Sequence, residues 1–343
     1  MLGRKKSVVG LDIGSSEVKA LEFGKQGDRI VVAGLAIAKI ESKDAMKETI
    51  REVIRMGNFK TKRVITAVSG RSVIMRYVNM LRMSDEDLHN AIRYEADKYI
   101  PFEVEETVLD CQRLEDPEAA GASDKEMKVL LVAVKRALID EHYAMLQDVG
   151  VTPLIIDVDS FALGNAFELH NRYSPKVEDA DRVVALIDIG ANKTNINIVR
   201  GNTSYFTREV YLAGNDFTDS VSRRLKIDIA QAEVLKINSG ERAAEVEECV
   251  LPTLDDLGNE IHLSFDYYEN QFDREVDEVY ISGGSSMLAG LDHSFERIFG
   301  RKVNFWNALE NVEIRSDRVD QNLLQAKAHQ FAVAAGLGAR IDG

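Results

Sequence analysis

"VVALIDIGANKTNINIV", from Val183 to Val199, repeats a pattern already present in "SVVGLDIGSSEVKALEF", Ser7 to Phe23. Each has an apolar run, then Asp-Ile-Gly, two small residues and a second strand-like run. The aspartates, Asp12 and Asp188, stand about half of the 343-residue chain apart. That is duplication at domain scale, far above the period of a short solenoid repeat. Strand and helix patterns mix in both halves, so the expected architecture is two α/β lobes, each with one Asp-tipped hairpin.

The bulk composition fits. Hydrophobic residues make up 45% of the chain, enough for a sizeable core, and only five prolines occur. Acids outnumber bases 57 to 43, a net charge of -14, which disfavours a general nucleic-acid binder. Two distant cysteines and six scattered histidines give neither a disulfide framework nor metal-ligand spacing, and they suit a reducing, cytoplasmic setting. The basic start "MLGRKKSVVG" is broken at once by Asp12, so it does not read as a signal peptide. No run of about 18 apolar residues is available to span a membrane. Between Glu241 and Glu278 stand thirteen Asp or Glu against Arg242 and Arg274. Such a run is either a solvated helix face or a docking surface for a basic partner.

Along the chain, three strands (Val8–Ile13, Glu17–Phe23, Ile30–Ile40) precede a helix over Lys43–Met56 with Gly57 as its C-terminal cap. "RVITAVSG" and "SVIMRYVNM" read as two more strands of the first core. Ser84 is a natural N-cap for a helix that Pro101 ends. The segments from Ser84 to about Gly150 read helix, strand, strand, helix, a small α/β insert. The polar stretch "SPKVEDAD", Ser174 to Asp181, divides the halves. The expected division is lobe one over 1–180, with core 1–83 and 151–180 and insert 84–150. Lobe two is expected over 181–343, with core 181–215 and 274–343. Its helical part, 216–273, is expected to break near Gly240 and Pro252.

The repeated turn has a physical use. Glycine followed by small residues leaves consecutive N–H groups free to face phosphate oxygens. An aspartate at the strand end can hold Mg²⁺ through water beside a triphosphate. Two such turns, one per lobe, grip one phosphate chain from both sides. A third turn, in "VYISGGSSMLAGL", can bring backbone close to a flat base. Each turn alone is equally an ordinary tight turn; the repeat and its spacing favour nucleotide.

These three segments resemble the phosphate-one, phosphate-two and adenosine motifs of the actin/Hsp70/sugar-kinase ATPase superfamily. Within it, "VVGLDIGSSEVKALEF", "AVSGRSVIMRYVNM" and "LHNAIRYEADKYIPFEVEETVLD" resemble the PilM family of type IV pilus assembly proteins, relatives of FtsA. The likeness runs from Ser7 to Gly338 and implies a two-lobed actin/Hsp70-like (duplicated RNase H-like) α/β fold with a small insert in lobe one. It implies a first phosphate loop of Asp12, Gly14, Ser15 and Ser16, with Lys19 reaching the phosphates. The second would be Asp188, Gly190, Ala191, Asn192 and Thr194, with Asp12 and Asp188 facing Mg²⁺ through water. Gly283, Gly284 and Ser285 would line adenosine, Glu233 and Lys236 would touch ribose and base, and Gly214 would lie nearby. Lys19 is otherwise a surface lysine, and Glu233 with Lys236 otherwise a helix-face ion pair.

Where active relatives carry an acid after the second glycine, this chain has Ala191, so tight ATP binding with slow or partner-dependent hydrolysis is expected. No catalytic residue is assigned; Asp157 and Asp159 are alternative water-positioning groups. The resemblance implies an adaptor at the cytoplasmic face of the inner membrane. It would bind the N-terminal peptide of PilN and contact other pilus assembly proteins, reaching the membrane only through partners, with homo-oligomerisation left open. The alternatives are a sugar-kinase-like phosphotransferase or an FtsA-like cytoskeletal or secretion adaptor.

Overall fold

The near-continuous apolar runs from Ser7 to Lys39 fold as a meander in the computed structural model, which describes residues 7–114, 125–174, 181–315 and 317–342. The basic start at 1–6, most of the loop at 115–126 and most of the boundary stretch at 174–181 lie outside the described residues. Strands β1 (Ser7–Ile13), β2 (Glu17–Gln26) and β3 (Arg29–Lys39) pair antiparallel in order. Helix α1 (Met46–Gly57) leads to β4 (Arg63–Val68), parallel to β1. Then come β5 (Val73–Leu81), α2 (Asp85–Glu95), β6 (Thr107–Arg113) and β7 (Glu126–Lys135). Helix α3 (Arg136–Asp148), β8 (Thr152–Val158) and α4 (Asp159–Tyr173) complete the first half.

The second half opens with β9 (Val183–Ile189), β10 (Thr194–Arg200) and β11 (Thr203–Val210). Helices α5 (Gly214–Leu225), α6 (Ile229–Ile237) and α7 (Ala243–Phe272) follow, then β12 (Glu278–Ser282), α8 (Leu291–Phe299) and β13 (Val303–Phe305). The chain closes with β14 (Glu313–Ile314), α9 (Gln321–Lys327) and α10 (Ala332–Ala339). The two large sheets have one topology. The first runs β14-β3-β2-β1-β4-β8 and the second β11-β10-β9-β12-β13, so a meander meets two parallel strands in each. The duplicated hairpin is therefore the visible end of a duplicated sheet.

Four features differ from the sequence expectation. Strand β5 belongs to the insert: it is an edge of the three-stranded sheet β5-β7-β6, so the insert starts at Val73 rather than Ser84. Its core partner would have been β4, but β8 takes that edge. Second, the C-terminal segment does not stay in the second lobe. Strand β14 pairs with β3, and α10 lies on α4 and β1. A Cβ at Gly336 would stand 1.7 Å from the Ala162 carbonyl oxygen, so only glycine allows this approach. Third, Gly57 is the last helical residue and Asn58 is the left-handed cap, at φ 43. The missing Cβ at Gly57 makes room for the Phe59 ring. Fourth, α7 continues through Pro252. The carbonyl that a proline leaves unpaired belongs to Glu248, and Arg224 Nη1 donates to it at 2.9 Å.

Much of the acid run is consumed internally. Glu245 pairs with Arg242, Asp255 with Arg297, Glu260 with Arg208 and Glu278 with Arg182. The Asp277 carboxylate accepts from the Val183 amide at 2.7 Å. The solvated, self-paired face is what the structure displays. Between the sheets a core joins Leu21 and Phe23 of the first to Val184 and Leu186 of the second, through α4 and α10. That seam joins the two lobes.

Candidate functional site

The two Asp-Ile-Gly turns close identically. The Gly14 amide donates to the Glu17 carbonyl at 3.0 Å, and the Gly190 amide to the Lys193 carbonyl at 3.0 Å. Asp12 stands opposite Lys19 across the first hairpin, and Asp188 opposite Asn195 across the second. Lys19 Nζ donates to Asp12 Oδ2 at 3.2 Å, with only 13% and 15% of the side chains exposed. Lys19 is thus no surface lysine. Burial pulls its ammonium down, but Asp12, Glu17 and Asp188 outweigh burial and raise it above its ordinary value. Burial pushes the Asp188 carboxyl up to about 6; Lys19 opposes this, while Asp12 and Asp159 add to it. The two hairpin carboxylates and the lysine therefore lie within electrostatic reach of one another.

The second turn is wedged among the other expected residues. Ser285 Oγ donates to the Gly190 carbonyl at 2.9 Å, and the Gly214 and Asn215 amides donate to the carbonyls of Gly190 and Ala191. A Cβ at Gly214 would meet Ser285 Oγ at 2.3 Å, so the start of α5 fits here only as glycine. Gly283 adopts φ 99, and a Cβ there would strike Ile189 backbone at 2.4 Å. A Cβ at Gly284 would meet nothing within 4 Å, which leaves that backbone open to an incoming flat group. Asn192 accepts from Asn215 Nδ2, so its side chain stays beside the turn. Ser15 is exposed at the tip of the first turn and Ser16 is half-buried. Thr194 points elsewhere: its hydroxyl is buried and donates to the Leu212 carbonyl at 2.8 Å.

Glu233 and Lys236 do form the i,i+3 ion pair, at 2.6 Å, but inside the site. Lys236 Nζ also donates to the Gly214 carbonyl at 2.9 Å and to Thr218 Oγ1 at 2.8 Å, and Glu233 accepts from the Thr218 hydroxyl. With 8% of its side chain exposed, Lys236 fastens α6 to the glycine; Glu233, at 40%, reaches solvent.

The two alternative acids separate cleanly. Asp157 is buried and spent, on Arg340 Nη1 at 2.7 Å and on Asn165 at 3.3 Å. Asp159 faces the second hairpin, accepting from Lys193 Nζ at 2.6 Å and Asn195 Nδ2 at 3.2 Å. Its other oxygen is buried without a partner among the described residues. Burial raises this carboxyl, against the pull of Lys193. Lys193, Asn195 and Ser282, whose hydroxyl donates to Asp188 at 3.1 Å, were not singled out from the sequence. A signal existed: Lys193 and Asn195 belong to a run of polar residues, with Asn192, Thr194 and Asn197, in a hairpin whose strands are otherwise largely apolar.

Chemically, two carboxylates can order the waters of a divalent cation, one ammonium can neutralise anionic oxygens, and turn amides can bind them. A magnesium triphosphate fits that donor set better than any neutral ligand does. Two sheets of one topology, each ending in such a turn, with the two aspartates in electrostatic reach of one another, define an actin-like ATPase fold. The chain belongs to the type IV pilus assembly protein PilM family, whose model matches residues 10–341. It is similar to a solved PilM-PilN type IV pilus biogenesis complex, at 27% identity, 98% coverage of each chain and a TM-score of 0.85. The cell division protein FtsA of Streptococcus pneumoniae serotype 2 is 23% identical over 357 residues, 89% of this chain and 76% of FtsA. MreB5 of Spiroplasma citri bound to AMPPNP shares the fold at 12% identity and a TM-score of 0.51, covering 96% of this chain and 94% of that one. Among the described residues no helix is long and apolar enough to cross a membrane.

Proposed function

We propose that this protein is a nucleotide-responsive adaptor of the type IV pilus machine, binding Mg-ATP between its hairpins and the N-terminal cytoplasmic peptide of PilN on its surface. The observation that carries the nucleotide reading is the identical closure of the two turns, with Asp12, Lys19 and Asp188 within electrostatic reach of one another. Asp12 and Asp188 hold Mg²⁺ through water, while Lys19 and the amides of Gly14, Ser15, Ser16, Gly190, Ala191 and Asn192 take the phosphates. Gly283, Gly284, Ser285 and Glu233 border the nucleoside, and Gly214 and Lys236 set their positions. Thr194 acts indirectly, by fixing the strand end. Asp159 is the better water-positioning group, because Asp157 is committed to Arg340. Its pairing with Lys193 agrees with slow hydrolysis.

The PilN assignment rests on the similarity to the PilM-PilN complex across nearly the whole chain. An extended peptide adding to a sheet edge or groove gives affinity through main-chain hydrogen bonds. Membrane placement then comes through that partner. Calorimetric titration of the protein with Mg-ATP, and of a PilN N-terminal peptide with and without Mg-ATP, tests both parts. No heat with nucleotide removes the first; no peptide binding in either condition removes the second.

A further inference from the structure

Lys193 is the residue whose carbonyl closes the second turn, and its side chain reaches away from that turn. Its ammonium lies 2.6 Å from Asp159 Oδ2, at the start of α4, and 2.7 Å from Glu209 Oε1, on β11. The three side chains are only 20%, 14% and 11% exposed. Glu209 Oε1 also accepts from the Gly70 amide at 3.0 Å, and its Oε2 accepts from Tyr211 Oη at 2.9 Å. Gly70, at φ 94, is the last link before the insert: its carbonyl accepts from the amide of Val73, the first residue of β5. Resting on the nucleotide reading above, we propose that Lys193 is a clasp through which the second phosphate turn controls the seating of the insert subdomain.

The physics of the cluster gives it two states. Lys193 serves two carboxylates with one charge, so its departure leaves Asp159 and Glu209 as facing, buried anions. Buried charges without partners are strongly unfavourable, so the cluster must rearrange rather than relax by degrees. The rest of the β5 seat is an apolar patch, Val73 and Met75 with Val68, Ile156, Val158 and Phe161, and few polar contacts. Tyr77 Oη reaches Thr207 at 3.5 Å, and Thr207 and Ser160 hydroxyls reach the Met75 sulfur at 3.1 and 3.7 Å. Arg71 lies 5.5 Å from the Tyr211 ring. The Glu209 to Gly70 bond adds a charge-assisted hydrogen bond to that seat. A triphosphate arriving at Ala191 and Asn192 offers Lys193 a competing anion one residue away. Its differential attraction in the two states is what a ligand needs in order to shift the balance.

The other charged and titratable neighbours leave the clasp intact near neutral pH. Asp188 lies within electrostatic reach of Asp159, and Lys19 of Asp188. Burial pushes Glu209 up, but Lys193, the Gly70 amide and Tyr211 hold it below its ordinary range, so it stays anionic. Lys193 is held above its ordinary value by Asp159 and Glu209 against burial, so it stays charged.

Amide hydrogen exchange on the full chain tests this, comparing wild type, Lys193→Met, Lys193→Arg and Glu209→Gln, each with and without Mg-ATP. Without nucleotide, Lys193→Met and Glu209→Gln are expected to speed exchange of amides 70–81 about tenfold, leaving β13 and α8 unchanged, and Lys193→Arg to restore protection. In wild type, Mg-ATP is expected to protect 12–19 and 190–195 and to alter exchange at 70–81; Lys193→Met should lose only the second effect. If Lys193→Met does not fold, Glu209→Gln alone carries the comparison. Wild-type exchange at 70–81 in Glu209→Gln and in any folded Lys193→Met, or a full response to Mg-ATP there in Lys193→Met, overturns the clasp. If Mg-ATP changes no amide in any variant, the nucleotide reading fails, and the nucleotide-free comparison still decides whether Lys193 seats the insert.

Discussion

Replacing Asp188 by Asn is expected to stabilise the nucleotide-free protein while abolishing its response to Mg-ATP. Burial, with Asp12 and Asp159 nearby, holds the Asp188 carboxyl at about 6 against an ordinary 3.8, even with Lys19 pulling the other way. A carboxyl raised on folding binds its proton more tightly in the folded state. Its penalty is absent below the ordinary value, grows as pH rises through 6, and is complete above it. A rise of roughly two pH units, at ~1.4 kcal/mol each, caps the penalty at about 3 kcal/mol. Asn keeps the acceptor for the Ser282 hydroxyl, now at 3.1 Å, and Lys19 keeps Asp12. Partial solvent contact lowers the cap, so a gain of about 1–2 kcal/mol is expected at neutral pH. Urea unfolding of both proteins at about pH 7.5 and about pH 4.5 reads it, and the gap should shrink at the lower value. In saturating Mg-ATP the order should reverse, because only wild type gains ligand stabilisation. A variant less stable than wild type at about pH 7.5, or a gap equal at both values, refutes the reasoning.

Further outcomes are open to measurement. Lys19→Met should weaken Mg-ATP affinity by about 10–100-fold through loss of one charge-assisted contact, as calorimetry will show. Glu22 is 1% exposed and paired with Arg318 at 3.1 Å. Its carboxylate also accepts from the Lys60 amide at 3.0 Å. Glu22→Ala should therefore cost about 3–5 kcal/mol in denaturant unfolding, more than an exposed pair such as Lys47 with Asp148. Gly336→Ala should cost at least about 2 kcal/mol, because the new Cβ meets the Ala162 carbonyl oxygen at 1.7 Å and α10 must move off α4. Trp306, the single tryptophan, packs edge-on to Phe167 and His170 at the seam between the sheets. Its emission should shift when nucleotide changes the lobe angle, and a spectrum unchanged at saturating Mg-ATP would deny that movement.

Much of the fold was written locally. The Asp-Ile-Gly hairpins and the Ser84 cap, whose hydroxyl accepts from the Asp87 amide, each depend on residues a few positions apart. Their side chains and backbone angles act within one turn of chain, so the sequence by itself determined them. It also determined that the turns come as a pair, which was enough for the two-lobed fold. Tertiary structure decided whatever pairs distant residues. β5 joined the insert because β7 offered a partner edge while β8 had taken the edge of β4. α10 packs on the first lobe because Gly10, Gly336 and Gly338 admit close contact, and β14 pairs with the edge of β3. Pro252 left α7 unbroken because Arg224, from another helix, satisfied the freed carbonyl. Lys193 meets Glu209 within the second lobe's own hairpin, but Asp159 and, through Glu209, Gly70 only once both lobes have assembled. A charge in sequence carries no record of its partner, because the pairing energy exists only after the surrounding chain has removed water from both.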